Sequence, residues 1–205
     1  MVGSLFLKDK REYIPVFRLT ENPTVITRGV QGSLMTVNIS FGDEKLKKWL
    51  ETLEKPYPLF FIDLSWAERF PETIEMMRKK NMSIGLLGAD GNDYQKNKEL
   101  LKEQMLQYEK TFGTQPLWFR TKDEHFPELL RNQLWTYEVN ALASTTKWAK
   151  GEQRPHQKGE IIAATSSAEE ELDTESLTSF LKSRDFFTVE EVLFGQLGKS
   201  KKIPK

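Results

Sequence analysis

The chain has no cysteine and only two histidines, His125 and His156, so its chemistry must rest on oxygen and amine groups. Thiol catalysis, Cys-ligated zinc, iron–sulfur clusters and disulfides are thereby excluded. The histidines lack metal-ligand spacing and a companion Glu, and there is no Gly-rich phosphate loop or Gly-x-Ser-x-Gly elbow. What remains is a set of polar residues closing short apolar runs. Asn38, Ser40 and Gly42-Asp43-Glu44 follow the first run. Asp43 is either a cation ligand or base, or the cap of the next helix, where its charge meets the helix dipole. Asp63, Ser65 and Trp66 follow the second. Ser65 reads as a helix N-cap, and Trp66 as packing or as a platform for a sugar face. Asp90 and Asp93 close the third; with Asp43 they offer oxygen ligands to a divalent cation, although Asp, Gly and Asn are equally what a tight turn wants. Arg120 closes Leu117-Trp118-Phe119, a position where a guanidinium needs a carboxylate partner. His125 and His156 sit in polar loops and read as solvated, and Thr165 and Ser166 are hydroxyls without a visible base.

The 205 residues, with 13 Phe and 5 Trp, suit one α/β domain with its own core. Edge strands or an arm are expected at 13–17 and 24–27, and strands at 33–41, 58–62, 83–88, 115–120, 137–144, 160–165 and 186–187. Helices are expected at 44–55, 65–80, 95–111, 126–133, 168–183 and 189–197, with a turn at 89–93. Residues 1–32 read as an N-terminal arm or edge strands, 33–197 as the domain and 198–205 as a Lys-rich solubilising tail. Short connections between alternating strands and helices demand parallel strands with right-handed crossovers. The pattern therefore gives a doubly wound sheet or a (β/α) barrel, with ligand chemistry at the C-terminal strand ends. Lys+Arg and Asp+Glu are both 30, a balance that argues against a nucleic-acid partner. No apolar run is long enough to span a membrane, and residues 1–7 are too short for a signal-peptide core.

Read in order, the strand ends resemble the polysaccharide deacetylase family, the NodB-homology domain or carbohydrate esterase family 4, and most of all its sporulation-associated branch. The resemblance runs from about Thr24 to Phe194. Its sharpest segments are Asn38-Ile-Ser-Phe-Gly-Asp-Glu44, Trp66-Ala-Glu-Arg-Phe-Pro71, Ile84-Gly85, Leu117-Trp-Phe-Arg120 and Gly159-Glu-Ile-Ile-Ala-Ala-Thr165. It implies a deformed (β/α) barrel of about seven strands with a short N-terminal β arm. It also implies metal-assisted removal of acetyl groups from N-acetyl sugars. In that chemistry one Asp is the base, a second Asp and two His hold a divalent metal, an Arg orients the base and a late His is the acid. Carried onto this sequence, the base falls on Asn38, the metal histidines on Leu87 and near Gly91, and the acid on Thr165. A shifted alignment instead places Gly42 at the base and Asp43 at the metal Asp. Arg120 persists, its carboxylate partner gone unless Asp43 substitutes. Thr121 and Lys122 stand where two prolines commonly follow that Arg.

The reading is a deacetylase-like chain that has lost its metal and acid/base residues. General acid and base each contribute about 10²–10⁴-fold, and metal activation of water contributes more. The expectation is a catalytically inactive glycan-binding or scaffold module of the cell envelope or spore, with no cofactor and a groove of Asn38, Asp43, Trp66, Arg120, Trp148 and Thr165. The alternatives are a divergent zinc-type deacetylase using Asp43, Asp90, Asp93 and His125, and a protein-interaction domain. A cytoplasmic location stays open beside the envelope.

Overall fold

A computed structural model describes residues 20–151 and 155–195. Residues 1–19, with the run expected at 13–17, residues 152–154 and the Lys-rich tail lie outside the described part. All pairings in the sheet are parallel, and its strand order is β1-β6-β5-β4-β3-β2-β8-β7. The strands are β1 Val25–Ile26, β2 Ser33–Ile39, β3 Leu59–Ile62, β4 Ile84–Gly88, β5 Trp118–Thr121, β6 Asn140–Leu142, β7 Thr146–Lys147 and β8 Glu160–Ser166. The helices are α1 Glu44–Thr52, α2 Leu64–Arg69, α3 Pro71–Lys79, α4 Gly91–Lys96, α5 Leu100–Phe112, α6 Glu128–Thr136, α7 Thr174–Lys182 and α8 Val189–Phe194. Among the described residues no helix is long and apolar enough to cross a membrane.

The expected deformed barrel is present. β6 pairs with β5 while β7 pairs with β8, and three residues of chain, Ala143–Thr145, join them. The strand expected over 137–144 is β6 alone, and β7 lies beyond it at the opposite side of a curled sheet whose edges are β1 and β7. The 24–27 segment is β1, an edge strand laid beside β6.

Strand alternation sorts the apolar residues into two bodies. Leu34, Phe61, Leu87, Trp118, Leu142 and Ile161 fill the barrel, and Val189, Val192 and Leu193 of α8 pack against them. Met35, Val37, Ile39, Phe60 and Ile62 face outward beneath the helices. Both faces being covered explains why β3, Leu-Phe-Phe-Ile, is apolar throughout.

Several helices depart from the expected bounds. The stretch 65–80 is two helices broken at Phe70, because Pro71 has no N–H to continue the ladder and starts α3 instead. Asp63 rather than Ser65 caps α2, accepting from the Ser65 and Trp66 amides. The turn expected at 89–93 contains the start of α4, and the long helix becomes α5 from Leu100. The helix expected from 168 starts only at Thr174, where Asp173 accepts from Ser176 N. Phe186 and Phe187 form no strand.

Candidate functional site at the barrel mouth

The C-terminal strand ends surround an open cavity of about 470 Å³. Its walls include Asn38, Asp63, Leu87, Asp90, Lys122 and Thr165. Asn38 and Thr165 are register partners across β2 and β8, so both side chains point inward at one level. Leu87 stands beside them on β4, paired with Arg120 on β5.

Arg120 lies fully buried beneath this floor. Its Nε donates to Leu142 O at 2.9 Å, and its Nη1 donates to Thr36 Oγ1 at 2.7 Å and to Asn38 Oδ1 at 3.1 Å. The guanidinium rests 4.3 Å from the Phe61 ring centre. Among the described residues Nη2 has no acceptor. Burial pushes the Arg120 pKa down to about 10, partly offset by the negative charge of Glu124, and the group remains a cation at neutral pH.

Glu124 is the carboxylate that the sequence reading missed. It accepts from Ser144 N at 2.6 Å and from the Ser144 hydroxyl at 2.9 Å, and it pairs with Lys147. Burial raises its pKa, but Arg120, Lys147 and Ser144 outweigh that and hold it below the ordinary value. Its φ of 55° is the only sign of a special position, and it is invisible in a polar run of Thr-Lys-Asp-Glu-His. Asp43 does not substitute as the partner of Arg120. It is exposed and caps α1 by accepting from Lys45 N at 2.9 Å. Gly42 and Asp43 therefore lie in the loop that leads into α1, while Asn38 lines the cavity.

On the rim, Asp63 accepts from Ser65 Oγ at 2.5 Å and pairs with Lys122 Nζ at 2.9 Å. Burial raises the Asp63 pKa, and the bonds from Ser65 and Lys122 bring it below the usual carboxylate value. Trp66 does not line the mouth. It is 1% exposed and packs 5.1 Å from Phe70 in the outer core, because the Asp63 cap starts α2 with that face turned inward. Trp148 is likewise half-buried against Phe180 on the outer side of the barrel. The exposed aromatic nearest the mouth in sequence is Phe41, which follows the cavity-lining Ser40 and is 48% exposed.

The alternative metal set does not gather. Asp90 lines the cavity, Asp93 pairs with Lys96 at 3.1 Å, Asp43 caps α1 and His125 is exposed on its loop. Gly91 instead serves a close approach, since a Cβ there would meet His125 O at 2.1 Å. Among the described residues no three His, Asp or Glu side chains are arranged to hold a metal ion. His156 is half exposed and far from the mouth in register, its Nδ1 3.2 Å from Ser33 Oγ and 3.4 Å from Glu160 Oε1 at the strand starts.

No model of a known protein family matches the sequence, and no curated protein matches it either. Solved structures do. A wild-type pseudoenzyme of carbohydrate esterase family 4 from Bacillus anthracis superposes with a TM-score of 0.69 at 18% identity, over 85% of this chain and 70% of that one. The family 4 carbohydrate esterase PdaA of Bacillus subtilis gives 0.64 at 14% identity, over 86% and 87% of the two chains. A chitin deacetylase from Colletotrichum lindemuthianum gives 0.67 at 15%, over 85% and 93%. The chain has the fold of the family 4 carbohydrate esterases.

On that fold, the metal that the resemblance implies finds no donor set. Leu87 is a buried hydrocarbon, Gly91 has no side chain, and Asn38 offers an amide whose oxygen is already bonded to Arg120. The residues present do not fit a catalytic divalent cation of three protein ligands.

Proposed function

We propose that this esterase-like chain binds glycan without hydrolysing it, as a binding or scaffold module of the cell envelope or spore. One observation carries the reading: Asn38, on which the resemblance places the base, has its carboxamide held by a 3.1 Å bond from Arg120, with Leu87 and Thr165 lining the same cavity. An amide cannot take a proton near neutral pH, and a threonine hydroxyl has no usable pKa as an acid. The cavity and its rim nevertheless offer hydroxyl, amide and ionic groups suited to sugar hydroxyls, with Phe41 as an apolar face nearby. The neighbours support the choice of ligand and the absence of turnover. One is named a peptidoglycan N-acetylglucosamine deacetylase, another a chitin deacetylase, and a third a pseudoenzyme.

The test pairs two measurements on the purified chain. With zinc supplied, no acetate should be released from peptidoglycan or N-acetyl chitooligosaccharide above the buffer rate. The protein should still co-sediment with insoluble peptidoglycan, and Thr165→Phe, which fills the cavity floor, should abolish that retention. Acetate release by the wild type, or retention indifferent to Thr165→Phe, overturns the reading.

A further inference from the structure

Arg120 dictates the orientation of the groups above it. A guanidinium has donors only, so the Asn38 carboxamide must turn Oδ1 toward it and Nδ2 away. Nδ2 lies 3.5 Å from Thr165 Oγ1, the outer limit of a hydrogen bond. Asn38 is 3% exposed yet lines the cavity. At least one of its amide hydrogens, together with the Thr165 hydroxyl hydrogen, meets no protein acceptor among the described residues. Lys122, already paired with Asp63, is the cation on the rim. The floor is therefore a set of donors above a buried cation on which Glu124 acts through space, no carboxylate among the described residues being hydrogen-bonded to it.

Among the described residues these floor donors have no hydrogen-bonded acceptors beyond the Thr165 oxygen, although Asp63, Asp90 and Glu169 also line the cavity. The carboxylates around the cavity do not supply them: Asp63 is bound by Ser65 and Lys122, while Asp90 and Glu169 are exposed, where water and salt screen their charge. A neutral carbonyl would satisfy the same donors. Only an anion would also gain from the Arg120 charge relayed through Asn38, and hydrogen bonds to ionised acceptors are roughly twice as strong as neutral ones.

We infer that the barrel mouth takes a carboxylate borne on a sugar, one carboxylate oxygen accepting from Asn38 Nδ2 and the Thr165 hydroxyl, with Lys122 nearby. The sugar part rests on the glycan-binding reading; the carboxylate part rests on the floor alone.

The experiment is a titration of the full chain with sodium glucuronate, N-acetylglucosamine and sodium acetate, followed through the Asn38 side-chain amide in ¹⁵N-correlated NMR spectra. Glucuronate should shift that resonance and bind at least about tenfold more tightly than the neutral sugar, the worth of one charge-assisted bond. Asn38→Asp, its fold verified and its titration followed through the backbone amides of the floor strands in both proteins, should weaken glucuronate by about tenfold or more while changing N-acetylglucosamine by less than about threefold. N-acetylglucosamine binding as tightly as glucuronate, both indifferent to Asn38→Asp, overturns the carboxylate and leaves glycan binding standing. Acetate matching glucuronate overturns the sugar as the source of the anion. No response to any of the three overturns this inference and the glycan reading together.

Discussion

Arg120 carries its charge into the barrel with three hydrogen bonds to neutral oxygens and an aromatic face, and its Nη2 is unpaired. A buried ion short of its partner typically costs about 3–5 kcal/mol relative to the paired state. Asn38→Asp places a carboxylate where an oxygen already receives Nη1, so it should stabilise the protein at neutral pH by about 1–2 kcal/mol after its own desolvation. The new carboxyl would have a folded pKa below its unfolded value. Its contribution is then fully present above the unfolded pKa of about 4 and is lost as pH falls through the folded one. Urea denaturation at pH 7 and pH 3 checks both parts; a variant less stable than the wild type at pH 7 would refute the account of Arg120. The floor positions Asn38, Leu87 and Thr165 were legible through the family resemblance, and period-two alternation is the physical reason that Asn38 and Thr165 face one cavity. Glu124 was not, because nothing in its surroundings announces a left-handed backbone for Glu. Trp66 was misplaced for a different reason: which residue caps α2 decides which face of the helix the indole occupies, and Asp63 and Ser65 are both good caps.

At the level of elements, the barrel's lower end depends on backbone approaching backbone. Gly29 N donates to Gly159 O at 2.7 Å, and Gly159 N donates to Gly32 O at 2.7 Å, tying the start of β8 to the segment between β1 and β2. Gly159 has φ of +70°, and a Cβ there would meet Gly29 O at 2.1 Å, so a methyl group is opposed by both conformation and contact. Gly159→Ala should therefore lower stability by roughly 2–4 kcal/mol, whereas Gly113→Ala, with φ of +74° but open space, should lose only about 1 kcal/mol from conformation. Equal losses in thermal denaturation would show that the contact is not what matters. The strands β2, β3, β4 and β8 were readable from apolar runs, since a strand buried on both faces has no choice of composition. Helix bounds were not: the break at Phe70 and the late start at Thr174 are set by single residues, Pro71 and Asp173, inside otherwise continuous helical patterns. The division of this stretch into β6 and β7 on opposite sides of the sheet depends on long-range pairing with β5 and β8, which three- and two-residue strands cannot advertise in their own sequence.

For the molecule as a whole, the question is where its stability comes from. The barrel interior is closed below by α8 and sheathed outside by the helices, so two apolar bodies meet through the strand walls. The chain is long enough to bury most of its unfolded surface without disulfides or metal. A ligand bound only to the folded state would add RT ln(1 + [L]/Kd), about 2.7 kcal/mol at a hundred times Kd. For a domain of this size, that would raise Tm by roughly 5–10 °C. With Asn38, Leu87 and Thr165 lining the mouth beside Asp90, and Asp43, Asp93 and His125 not gathered with them, the described residues offer a divalent cation no three-ligand site to supply such a term. Zinc at about 100 μM, or an excess of EDTA, should therefore move Tm by less than about 1 °C at pH 7, read by circular dichroism or scanning calorimetry. A rise of several degrees with zinc that EDTA reverses, and that Asn38→Ala or Asp90→Ala removes, would mean that the strand ends assemble a cation site after all, and the mouth would then have to be read as that of a working hydrolase.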